Sequence, residues 1–133
     1  FILGDIKEAM FYLGAACHLV QDVTIPQHAN VKLLKNHRSF ENWIIRMYRR
    51  FHKFRAYYGG IYLNSIGQYV ELNSREAIKT HERFSHIENE QIRFYKITSV
   101  ILVMAQKTTA GVMAKFYYDM QRLKAIMMVK LQK

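Results

Sequence analysis

Five residues in this chain have the types and spacing that suit a metal ion: His18, Asp22, His28, His37 and Glu41. They fall in "HLVQDVTIPQHAN" (His18 to Asn30) and "HRSFE" (His37 to Glu41). Imidazole nitrogen and carboxylate oxygen are both zinc ligands, and a catalytic zinc takes three protein ligands with one position open. Residues four apart on a helix stand within about 40° of each other around its axis. His18 and Asp22 therefore project from one face, and His37 and Glu41 do the same on the next helix. His28, held just after Pro26 in the connector, is placed to be the third ligand for the His37 and Glu41 pair. A lone histidine on a helix is commonly a partnered structural group. Two such pairs with a histidine between them form the pattern that points to metal. His52, His81 and His86 lack that company and read as surface or structural residues. The single cysteine, Cys17, rules out an internal disulfide and a zinc site of several thiolates.

Those ligands need rigid elements to hold them. "GDIKEAMFYLGAACHLVQDV" places Ile6, Met10, Leu13, Cys17 and Val20 at helical spacing, with Asp5 as N-cap and Glu8 three residues on. This helix should end before Pro26, because proline disfavours helix in the residue preceding it. "TIPQHANVKLLKN" then reads as a connector. Asn36 is a candidate cap for a second helix from about His37 to Tyr58, with Phe40, Trp43, Ile44, Met47, Phe51 and Phe54 as one apolar stripe. "YYGGIYLNSIGQYVELN" reads as a loop-rich middle. Asn73 with Glu76 suggests the cap of a short helix, about Ser74 to Glu82, and Ser85 with Glu88 a capping box for a fourth. The fourth pattern runs on through Leu102, Met113 and Leu123, with a bend expected near Gly111. The fold class expected is all-α, a helical bundle with the metal site between helices.

Composition agrees. The chain has 133 residues, half of them apolar, with one proline and six glycines, which suits one folded unit with few turns. No run approaches the ~20 apolar residues of a membrane span. "ITSVILVMA" (Ile97 to Ala105), bounded by Lys96 and Lys107, reads as a buried helix segment. Lysine and arginine outnumber acids twenty to ten, a formal charge of +10. That favours anionic partners such as phospholipid head groups, phosphate esters or nucleic acid, or simply a solvated basic surface.

The stretch from His18 to Asn30 resembles the signature of the zinc-dependent bacterial phospholipases C, H-Y-x-G-D-x-x-x-P-x-H-A-x-N. His18, Asp22, Pro26, His28 and Ala29 match it, and His37 with Glu41 matches the His-x-x-x-Glu pair that follows in the family. Leu19 stands at the usual tyrosine, Gln21 at the usual glycine, and Asn30 directly follows the alanine. "AQKTTAGVMAKFYYD" (Ala105 to Asp119) is similar to the family's last helix. The resemblance implies an all-α fold around up to three zinc ions. It implies that His28, His37 and Glu41 hold one metal, and that His18 and Asp22 contribute to the others, Asp22 as a bridging catalytic ligand. It implies hydrolysis of the ester joining glycerol to a phosphorylated head group. A secreted or extracytoplasmic location and contact with membrane surfaces go with that activity. The family also draws ligands from an upstream region, and this sequence has no histidine before His18. The chain is therefore expected to be the C-terminal part of a larger phospholipase C-like domain, with one complete three-ligand site and weak catalysis on its own.

Two other readings compete. Single-strand-specific zinc nucleases share this fold and cluster, but usually carry aspartate where Glu41 stands and lack the "TTAG" helix, which makes nucleic acid the weaker choice of substrate. A non-catalytic basic helical module is motivated by "IIRMYRRFHKFRAYY" (Ile44 to Tyr58). There Arg46, Arg49, Arg50, Lys53 and Arg55 would face acidic lipid while Phe51 and Phe54 insert.

Overall fold

The computed structural model describes residues 5–30, 32–33 and 37–131, which form helices and no strand. The helices are α1 (Ile6–Asp22), α2 (Pro26–Ala29), α3 (His37–Met47), α4 (Ile66–Phe84) and α5 (Glu90–Leu131), with a 3-10 turn at His52–Phe54 after α3. The all-α class expected from the sequence is what the chain adopts.

α5 is the central element. It packs against α1, α3, α4 and the 3-10 turn. It runs 42 residues without interruption, about 63 Å at the ~1.5 Å rise of a helix. By length and composition it passes as a membrane span, which the sequence reading did not anticipate. Its first half is nonetheless core: Phe94, Ile97, Thr98 and Ile101 are buried, as are Thr108 and Val112 further along.

The apolar stripe of the second expected helix is the largest core cluster. Phe40, Trp43 and Phe54 are buried with Phe94, Ile97 and Ile101, and Ile44, Met47 and Phe51 pack on them. Phe40 meets Phe94 edge-on at 4.9 Å, and Trp43 meets Phe54 at 6.2 Å. Each such ring contributes about 1.5–3 kcal/mol on burial. The helix itself is shorter than its stripe, because α3 stops at Met47 and the chain turns before Phe54. Gln106 on α5 holds that turn in place. Its Nε2 donates to the Phe54 carbonyl at 2.6 Å, and its Oε1 accepts the Ala56 N–H at 2.9 Å. The Asn36 cap lies outside the described residues.

Three further expectations are corrected. The connector carries a helical turn, since α2 begins at Pro26, whose fixed φ suits a first helical position. α4 starts at Ile66 rather than Ser74. Ser65 accepts the Gln68 N–H, and the Gln68 side chain accepts the Ser65 N–H in return. Asn73 is thus a buried mid-helix residue whose Nδ2 donates to the Val20 carbonyl at 2.7 Å and to Thr108 Oγ1 at 3.0 Å, tying α4 to α1 and α5. Ser85 ends α4 instead of capping α5, and the Asn89 side chain accepts the Ile92 N–H at the start of α5. Gly111 is where the 60–63 segment crosses α5: Ile61 N–H donates to the Lys107 carbonyl at 3.0 Å.

Candidate metal centre

The end of α1 sets the first two candidates. Asp5 caps that helix by accepting the Glu8 N–H at 2.8 Å, and the helix runs to Asp22 with His18 one turn earlier. Its last carbonyls are taken up by a tight exit: Thr24 N–H and Oγ1 both donate to Gln21 O, and Ile25 N–H donates to Asp22 O. The exit turns the chain into α2, which packs against α4 with Pro26 and Gln27 buried. His28 meets the first turns of α3, where His37 and Glu41 flank the buried Phe40. The ring that pins α3 to α5 therefore also fixes the two ligand candidates beside it.

Three donor atoms converge. His28 Nε2 and His37 Nε2 lie 2.5 Å apart, His37 Nε2 and Glu41 Oε1 3.0 Å, and His28 Nε2 and Glu41 Oε1 3.6 Å. Donors bound to one tetrahedral zinc stand about 3.3 Å apart, so these edges bracket the fit. The three side chains are between a quarter and a third exposed, sheltered yet open to solvent on one side. Two imidazoles and one carboxylate are the donor set of a zinc site that leaves a coordination position free.

Asp22 and His18 form a second tier. Asp22 Oδ2 lies 3.3 Å from His18 Nε2 and 3.9 Å from His28 Nδ1. His18 is three-quarters exposed, at the outer edge of the cluster. All five residues named from the sequence thus form one continuous chain of contacts, with His28, His37 and Glu41 as its closed triangle. Cys17 takes no part: it is buried with Val20, Tyr69 and Val112, and burial pushes its thiol pKa up. His52 and His86 are exposed, as expected of surface residues.

A cavity of about 480 Å³ adjoins the cluster at Asp22, walled mainly by Ile25, Ile44, Ile101, Leu102 and Met113. Gln21 Nε2 donates to Thr109 Oγ1 at its rim, 3.0 Å away. The sequence reading missed this cavity, because its walls come from α1, the link after it, α3 and α5 and share no local spacing. The basic aromatic run is also resolved differently. Arg46, Arg49, Arg50, Lys53 and Arg55 are exposed, but Phe54 is buried and Phe51 stacks edge-on against it and Tyr95. The two phenylalanines expected to insert into lipid are part of the core.

The family described as zinc dependent phospholipase C has a model that matches residues 3–98. Those residues contain the whole of the five-residue cluster. The similarity noted for Ala105 to Asp119 lies beyond the match. No curated protein and no solved structure matches the chain.

Proposed function

The chain belongs to the zinc-dependent phospholipase C family, and from that premise we propose that it is a phosphodiester hydrolase acting on phospholipids at the ester between glycerol and phosphate. The observation that carries this reading is the convergence of His28, His37 and Glu41, whose donor atoms lie within 4.8 Å of one another. These three would hold a zinc ion. When bound, zinc supplies a positive charge that polarises a phosphoryl oxygen and acidifies water.

The chain's own residues do the rest. The Asp22 carboxylate lies between the triad and His18, where it would orient His28 or help His18 hold a second cation. The cavity beside Asp22 would take the apolar glycerol side of the substrate and keep water from it. That cavity favours a lipid over a nucleic acid, because its walls are aliphatic and single strands are gripped by aromatic stacking. The exposed Phe11 and Tyr12 of α1 and Tyr117 and Tyr118 of α5 support a further part of the proposal. This helical unit is a portion of a larger domain whose other elements supply the remaining ligands for His18 and Asp22. An extracytoplasmic location is proposed with the activity.

The test uses the full-length gene product loaded with zinc. Diacylglycerol release from phosphatidylcholine is compared with nucleotide release from denatured DNA. Lipid cleavage that stops with chelation and returns with zinc is expected. Nucleotide release without lipid cleavage would assign the nuclease reading instead, and neither activity with no bound zinc would leave a helical binding module.

A further inference from the structure

Gln27 and His28 are neighbours in α2, and they serve different places. His28 joins the metal cluster, whereas Gln27 lines a second cavity of about 320 Å³ between α2, the end of α4 and the start of α5. Its size lies within the range of about 300–1,000 Å³ usual for small-molecule sites. Lys32, His81, Ser85 and Arg93 line it as well. Three of these side chains are basic, and no carboxylate lines the cavity among the described residues.

Arg93 is fixed in position. Its Nη1 donates to the Ile87 carbonyl at 2.6 Å and the Glu88 carbonyl at 3.4 Å, and Glu90 approaches Nη2 at 3.9 Å. A guanidinium has five N–H donors, so this anchoring leaves donors for a ligand. Gln27 is only 8% exposed and forms a neutral wall of the cavity. The cavity therefore combines the positive charge of Lys32 and Arg93 with the hydroxyl oxygen of Ser85.

We propose that this cavity binds a small phosphate-class anion that also carries a hydrogen-bond donor, such as hydrogen phosphate or a phosphomonoester bearing an amine or hydroxyl. Lys32 and Arg93 supply charge-assisted bonds to the phosphoryl oxygens. Ser85 Oγ, which donates to the Glu82 carbonyl at 3.1 Å, keeps a lone pair that accepts the hydrogen such a ligand carries. The site stands on its own geometry and does not depend on the metal cluster, although the phosphorylated head group released by a phospholipase C belongs to the same chemical class.

The experiment titrates inorganic phosphate into the full-length protein, once metal-free and once zinc-loaded. NMR signals of the His81 ring and the Arg93 guanidinium are followed, with sodium chloride at matched ionic strength as control. A saturable shift is expected in both metal states. The variant K32Q alters an exposed side chain and carries little risk to folding, and R93Q removes the anchored donor. Each should weaken phosphate at least about tenfold, the loss of one charge-assisted contact. A second arm uses vesicles of phosphatidic acid in phosphatidylcholine. Shifts with free phosphate assign the site to a soluble ligand, and shifts with vesicles alone assign it to a lipid-borne phosphomonoester. No saturable shift with either source would overturn the proposal. So would an equal response to chloride, saturation only when zinc is present, or wild-type affinity in both variants.

Discussion

Asp22 Oδ2 lies 3.9 Å from His28 Nδ1 and 3.3 Å from His18 Nε2, so one carboxylate joins a histidine of the triad to the histidine outside it. A ligating histidine is usually oriented by a carboxylate on its second nitrogen. Bridging two cations and orienting His28 both require the negative charge, which an amide of the same shape lacks. Asp22→Asn in the full-length protein should keep the fold and lower lipid hydrolysis at least about a hundredfold, on the order of ~3 kcal/mol of transition-state stabilisation. The zinc at His28, His37 and Glu41 should remain. Near-normal turnover in the variant would make Asp22 a helix-surface residue.

His37 tests the triangle directly. It is within 3.0 Å of Glu41 Oε1 and in contact with His28 Nε2, so its loss removes the candidate ligand common to both short edges. His37→Ala should leave dialysed protein without zinc by elemental analysis. It should also lose the thermal stabilisation that added zinc gives the wild type, about 4 kcal/mol at a thousandfold excess over Kd. Equal zinc in both proteins would show that these residues hold no metal.

The candidate site was legible because its signal is local. His18 with Asp22 and His37 with Glu41 are four apart on helices, and a helix converts that spacing into proximity whatever the rest of the chain does. The same locality explains the core stripe from Phe40 to Met47, whereas Phe51 and Phe54 reach the core through the turn that follows α3. What escaped the sequence reading is non-local or ambiguous. Ser65 with Gln68 is a capping box as good in sequence as Asn73 with Glu76, but the glycines at 59, 60 and 67 around it are equally a loop signal. Asn73 looked like a cap because asparagine favours helix ends. Its partners, Val20 and Thr108, lie on two other helices and leave no trace in the neighbouring sequence. The uninterrupted course of α5 past Gly111 has the same origin, since that glycine is needed for a crossing segment.

That crossing gives a stability prediction. A Cβ on Gly111 would stand 1.7 Å from the Ile61 carbonyl oxygen and 2.6 Å from Tyr69 Oη. The first is backbone and cannot swing aside. Moving it breaks the Ile61–Lys107 bond, and moving Tyr69 breaks the bond its Oη accepts from Leu63 N–H at 2.9 Å. Gly111→Ala, ordinarily favourable in a helix, should therefore destabilise the protein by about 3 kcal/mol or more. The midpoint of urea denaturation measures this. An unchanged or raised midpoint would mean that the 60–63 segment does not rest on α5 in solution.

The last prediction concerns pH and His81. Burial, followed by the charge of Arg93, holds this imidazole below its ordinary value of 6.5, with Glu82 pulling weakly the other way. A histidine with a lowered folded-state pKa binds fewer protons folded than unfolded in the interval between the two values. Stability therefore rises with pH across that interval, is fully present above the unfolded value, and is lost as pH falls through the folded one. His81→Gln removes this proton uptake and keeps a polar side chain of similar reach. Between about pH 7 and pH 5, the variant's Tm should fall less than that of the wild type, measured with chelator present so that the candidate metal ligands contribute no zinc-linked change. A parallel fall in both proteins would show that His81 does not sense acid.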